Sequence, residues 1–282
     1  VNAREVFYRV LSAAIDDLLE YGFDSQERLD RWLRDLNVAA RAALIPQNVL
    51  VRSLTDSLGR TFRRVTTDAA LMRKNPGVSQ FTINNVKPKL RAELNRRIQS
   101  SANLITLNRD ASIAKTLQRF AGWASSVPIG GTDVVKRKEV KQNIRRGIAG
   151  LPFEERRCLI DQSAKLVATV NDIVAVDGGA IAMQWKHVNE AGEAYDPRPE
   201  HVAMDGNIYL IRGSWADKKG FVKPSKGYTD QIEAPAELPF CRCSGVYKFA
   251  LRDLPQSMLT LKGKEALIEA RVAVRNLLSA TH

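Results

Sequence analysis

AMQWKHV, residues 182–188, is where the chain changes period. Met183 and Trp185 alternate with polar neighbours, which reads as a strand. Two more segments downstream have the same character: NIYLIR at 207–212, with Ile208 and Leu210, and FCRCSGVYKF at 240–249, with Val246 and Phe249. A lone hairpin is marginal in water. Three strands covered by the helix expected over 153–180 are therefore the smallest stable solution. Between the strands, NEAGEAYDP (189–197) reads as a turn, and PEHVAMDG (199–206) as a short helix or turn. The Gly-, Lys- and Pro-rich stretch 213–238 reads as a long loop, and a last helix is expected over 256–279. If CRC lies on the third strand, Cys241 and Cys243 point to one face.

Upstream of residue 182 the pattern is helical. Val6, Val10, Ala14 and Leu18 recur beside Phe7, Leu11 and Ile15, giving a helix over 2–21 that Gly22 stops. Asp24 or Ser25 can cap a second helix that buries Leu29, Trp32, Leu33, Leu36 and Ala40 and ends at Pro46. A third is expected over 47–73, with Leu50, Leu54, Leu58 and Phe62 on one face and Arg52, Arg60, Arg63, Arg64, Arg73 and Lys74 on the other. Residues 75–85 read as a loop, Pro88 opens a helix to about 108, and Asp110 caps another to about 125. VPIGGTD then breaks the chain before a basic helix over 134–147. The fold class is thus α+β, predominantly α. A basic helical domain is expected over 1–150, followed by an α+β domain over 151–282 with a short sheet and a terminal helix.

The boundary near 150 follows charge. The chain has a net charge of +12; residues 1–150 hold 26 Lys and Arg against 14 Asp and Glu, and the remainder holds 17 of each. A basic half joined to a neutral half points to an acidic partner, most often nucleic acid, with a solvated Arg-rich surface as the plainer reading. The densest run is VVKRKEVKQNIRRG, 134–147. Its Lys136, Arg137, Lys138, Lys141, Arg145 and Arg146 suit phosphates without reading bases, or an acidic protein surface. No apolar run is long enough for a membrane span. The opening residues are too acidic for a signal peptide. Three cysteines, two of them nearly adjacent, make no disulfide framework and suit a reducing compartment.

His187, His201, Cys241 and Cys243 are the candidate metal ligands, a set zinc prefers. The alternative is a packed core in which the thiols act as small apolar groups and His201 bonds to backbone. Asp196, Arg198 and Asp205 read as hydrogen-bonded charge pairs that fix the turns. No phosphate loop, dinucleotide fingerprint or nucleophile elbow is present, which argues against ATP hydrolysis and hydride transfer. Nor is there a complete nucleophile–base–orienter set. A non-enzymatic protein is therefore expected.

Read in order, Trp185, Asp196, Arg198, His201, Asp205, Gly206, then Cys241, Arg242 and Cys243 resemble the C-terminal domain of tailed-phage minor head proteins, the head-morphogenesis family related to the F protein of phage Mu. The resemblance covers 185–249 and departs from the family at 167–176, VATVNDIVAV, where an Ala-Arg-Thr-Glu-like element is usual. It implies a minor capsid protein acting at the portal vertex in head assembly and in DNA packaging or ejection. The implied partners are the portal protein, capsid or scaffold proteins and double-stranded DNA. The implied location is the virion head, with the host cytoplasm during assembly. It also lends some weight to zinc. The competing reading is a metal-dependent nuclease or other DNA-processing enzyme.

Overall fold

The computed structural model describes residues 3–188 and 198–280. The protein is predominantly helical, with one three-stranded antiparallel sheet and a C-terminal helix. In order, the elements are α1 (Ala3–Tyr21), α2 (Gln26–Ala42), α3 (Gln47–Val65), α4 (Asp68–Lys74), α5 (Gln80–Ala124), α6 (Arg137–Ala149), α7 (Leu151–Asp177), β1 (Ala182–Lys186), α8 (Pro199–Ala203), β2 (Ile208–Leu210), α9 (Trp215–Lys218), β3 (Ser244–Lys248) and α10 (Leu261–Ala280). They pack as two units. One comprises Val1–Asp56 with Ile98–Ile160, the other Ser57–Arg97 with Asp161–His282. The packing boundaries at 56, 97 and 160 are not the charge step near 150, and α3, α5 and α7 each contribute to both units.

In the first unit, Phe7, Leu11, Ile15 and Leu18 of α1 form the buried stripe that their spacing requires. They meet Leu29, Leu36 and Ala40 of α2, Ile113 and Phe120 of α5, and Ile144 and Ile148 of α6. Ser25 caps α2, accepting from Arg28 N. The α1 terminus is clamped by the 127–132 loop: Gly130 N donates to Tyr21 O at 3.0 Å and Thr132 N to Leu19 O at 2.9 Å. Gly131 sits there at φ +81°, where a Cβ would lie 2.1 Å from Leu19 O, so only glycine fits. A second apolar group joins Leu50 and Leu54 of α3 to Ala102, Ile105 and Cys158.

Three helix boundaries differ from those expected. The helix expected over 47–73 is broken at Thr66–Thr67, because Thr67 turns extended and its hydroxyl accepts from Ala70 N to start α4. The loop expected at 75–85 is instead largely the first turns of α5: Ser79 accepts from Thr82 N and caps the helix, and Pro88 lies inside it rather than at its start. Nor does Asp110 cap a new helix. Its carboxylate takes Arg41 at 2.9 Å while α5 runs on.

In the second unit the sheet order is β2-β1-β3, both pairings antiparallel, with Met183 opposite Tyr209 and Tyr247. Strand alternation sorts the apolar residues by face. Ala182 and Leu210 join Ala216, Val222, Leu254, Met258 and Leu259 in one cluster. Met183, Trp185 and Tyr209 join Cys241 and Cys243 in the other. From α7, Asp172 accepts from the Tyr247 hydroxyl at 2.7 Å and Asp177 binds Lys89 at 2.6 Å. Burial and the Asp172 carboxylate push the Tyr247 phenol well above its ordinary value. The loop expected over 213–238 holds α9 and a 3₁₀ turn at Thr229–Gln231.

Candidate metal centre

The cysteines precede β3 rather than lying on it. They occupy the turn Phe240–Cys243, and β3 begins at Ser244. They still face one place, because the turn is bent inward at two uncommon positions. Ala236 and Phe240 adopt φ +65° and +61°, the left-handed region that non-glycine residues avoid. The bend is held from both sides. Phe240 N donates to Asp161 of α7 at 2.6 Å, and Arg198 donates to Pro239 O at 2.9 Å.

His201 comes from α8, a helix too short to stand alone, started by Pro199. It is buried beneath Trp185, ring centroids 5.1 Å apart in an edge-on arrangement. His187 follows β1, and its backbone N–H donates to Asp205 at 2.9 Å. Gly206, at φ +78°, donates its N–H to Trp185 O. The short chain between α8 and β2 therefore holds the residues flanking both imidazoles.

The ligand-capable atoms of His201, Cys241 and Cys243 all lie within 4.8 Å of one another, and all three residues are buried. Cys241 Sγ is 3.4 Å from His201 Nδ1. Cys243 Sγ is 3.7 Å from His201 Nδ1 and 3.6 Å from His187 Nδ1. Zinc–sulfur and zinc–nitrogen bonds at the tetrahedral angle put sulfur and nitrogen about 3.5 Å apart. The three S···N edges lie near that value, so His201, Cys241 and Cys243 could hold a metal ion in spacing and in chemistry, and His187 approaches the group through Cys243. On its outer side, His201 Nε2 lies 3.2 Å from Glu233 Oε2, the arrangement that orients a ligating imidazole.

The two thiols share a proton in a way that suits metal uptake. Cys243 hydrogen-bonds to Cys241 and draws the Cys241 thiol down to about 5, with backbone donors and His201 helping against burial. The same contact, with burial, holds the Cys243 proton on. The pair thus favours losing the Cys241 proton before that of Cys243, and metal binding would require the second to leave as well. Among the described residues the buried Trp185 indole N–H has no ordinary hydrogen-bond partner, although the side chain favours the thiolate form of Cys243.

Most of the sequence-derived positions converge here. Trp185, Arg198, His201, Asp205, Gly206, Cys241 and Cys243 all serve the turn or its ligands. Arg242 is exposed and lines a neighbouring cleft, and Asp196 lies outside the described residues. Arg198 and Asp205 do not pair with each other; each holds backbone instead. Sequence reasoning missed Glu233 and Asp161. Glu233 sits in an aperiodic stretch and carried no signal; Asp161 lies on α7, 79 positions from its partner.

The basic run lies elsewhere, in the first unit, where α6 packs on α1. There Arg137 pairs with Asp16 at 3.1 Å, Lys136 lies 3.5 Å from Glu139, and Lys141 donates to Ser12. Lys138, Arg145 and Arg146 are exposed. No helix is long and apolar enough to cross a membrane among the described residues. Comparison with known families, curated proteins and solved structures finds no match for this chain.

Proposed function

We propose that this chain is a tailed-phage minor head protein of the Mu F-like kind, whose C-terminal domain is tied by one structural zinc ion. On this reading His187, His201, Cys241 and Cys243 hold the ion, and Glu233 orients His201. The protein is not an enzyme. It acts through its surfaces at the portal vertex, in head assembly and in DNA packaging or ejection. Its partners are the portal protein, capsid or scaffold proteins and double-stranded DNA, met in the host cytoplasm and then in the virion. The exposed cations Lys138, Arg145 and Arg146 are offered to DNA phosphates or an acidic portal face.

The observation that carries the reading is the convergence of residues from four separate stretches, around 185, 198–206, 233 and 241–243, on one buried His/Cys knot. With His187 as fourth ligand beside His201, Cys241 and Cys243 the set would be closed, the mark of a structural ion rather than a catalytic one, which keeps a position open.

Two measurements test it. Elemental analysis should give about one zinc per chain; less than about a tenth would reduce the knot to a packed core. The chain should co-purify with portal-containing particles, and its absence from them would remove the phage reading. Plasmid nicking with added magnesium, manganese or zinc, lost in His201→Ala, would instead favour the nuclease.

A further inference from the structure

We infer that the segment Ser57–Arg97 carries a phosphate-binding face for double-stranded DNA, separate from the run at 136–146. The inference is electrostatic and does not rest on the phage reading. Ten Lys and Arg stand in this segment against two carboxylates, Asp68 and Glu93. Both carboxylates are engaged: Asp68 binds Lys87 at 3.1 Å, and buried Glu93 is gripped by Arg96 and Arg97 at 2.7 Å each. Arg60, Arg63, Arg64, Arg73, Lys74 and Arg91 remain, all exposed and in no ion pair among the described residues.

Arg60, Arg63 and Arg64 share one face of α3, spaced three and four apart, where like charges repel. Helix dipoles account for part of the pattern, since Arg63 and Arg64 close α3 and Arg73 and Lys74 close α4. They do not account for Arg60 or Arg91. Exposed Asp56, the one carboxylate of α3, stands one turn before Arg60; solubility is served as well by mixed signs, so a face this rich in cations points to a polyanion that relieves its self-repulsion.

The surface also has a concave continuation. Lys74 and Arg96 line a cleft of about 660 Å³ whose walls include Arg97, Lys165 and Arg242 together with the carboxylates Asp172 and Glu237. Lys165 is already paired with Asp161 at 2.9 Å, so the cleft adds direction to the field more than charge. The cleft is of mixed sign, so the attraction rests on the exposed cations themselves, and a duplex backbone is the extended anion that would lie along them.

By contrast, three of the six cations in the run at 136–146 already have partners, Asp16, Glu139 and Ser12. The larger share of phosphate contact therefore falls to residues 60–91.

The test titrates the full chain with a fluorescent random-sequence duplex over a series of salt concentrations. Replacing Arg60, Arg63, Arg64, Arg73, Lys74 and Arg91 by Gln should weaken binding at least about tenfold at low salt and cut the log–log salt slope by up to about five. Replacing the five arginines by Lys should retain binding, which guards against loss through misfolding, as does an unchanged melting curve. Gln at Lys138, Arg145 and Arg146 should have the smaller effect. If the six-residue variant binds like the parent, or only the α6 variant loses affinity, the inference fails while the DNA contact proposed for α6 stands. No binding by the parent at low salt overturns both. Equal affinity for polyglutamate overturns the inference in favour of an acidic protein.

Discussion

In the unit built from α1, α2, α6 and the second half of α5, Phe7, Leu18, Leu36, Phe120 and Ile144 belong to one continuous apolar cluster. The sheet unit is different. Its two faces carry separate small clusters, and the one beneath the CRC turn contains two thiols against an imidazole. Burial of hydrocarbon is non-directional and tolerates approximate shapes. A His/Cys knot is directional and fails when any one donor is lost. The helical unit should therefore respond to lost volume, and the sheet unit to lost chemistry.

The largest effect should come from the chemistry. On the proposed zinc reading, chelation or Cys243→Ala should destabilise the sheet unit by several kcal/mol, since a structural zinc would contribute folding free energy outright. Hydrogen exchange should accelerate in 182–186 and 244–248 before it does so in the α1 residues 7–18. Equal acceleration in both would erase the contrast.

Next comes volume. Phe120→Ala removes a fully buried ring from the helical cluster and should cost about 3–5 kcal/mol by denaturant titration. The zinc content of that variant should not change; a loss of metal would mean that the two regions do not respond separately.

Glu233→Gln probes the support of the knot rather than the knot itself. Zinc affinity should fall about 10- to 100-fold, read by competition with a chromophoric chelator. An unaltered affinity would leave the 3.2 Å contact with His201 without a role.

The smallest effect is at Tyr247→Phe, which removes the hydroxyl bonded to Asp172 and should cost about 1 kcal/mol. Its pH dependence has a definite sign. The folded phenol is raised above its ordinary value, so its stabilisation is complete below the unfolded pKa, near 10, and is lost as pH climbs beyond it. Parent and variant should thus converge in alkaline urea melts.

Local chemistry was legible in the sequence wherever one residue acts on its near neighbours. The α1 stripe, Gly22 as a stop, a cap at Asp24 or Ser25 and the three strand segments all follow from local pattern, and the structure selects Ser25 as the cap. The same holds for His201, Cys241 and Cys243, whose residue types are uncommon and few and which the fold brings together. Competition between two local signals was not legible. Pro88 reads as a helix start because proline suits the first turn, yet Ser79 caps earlier and an exposed proline is tolerated inside a long helix. Long-range pairings left no trace either. Nothing in the order of residues assigns Glu233 to His201 or Asp161 to Phe240. Charge pattern likewise could not reveal that 57–97 packs with the C-terminal part of the chain, because packing follows apolar faces and charge follows solvent.

That detour of the chain bears on synthesis. Residues 1–56 leave the ribosome before Ile113, Phe120, Ile144 and Ile148, which complete their core and emerge only after another whole segment has passed. Until then the nascent α1–α2 hairpin carries Phe7, Leu11 and Leu18 against an incomplete cover. Such a surface is a natural client for chaperones, and during that interval growing chains held close together on one messenger are most exposed to one another.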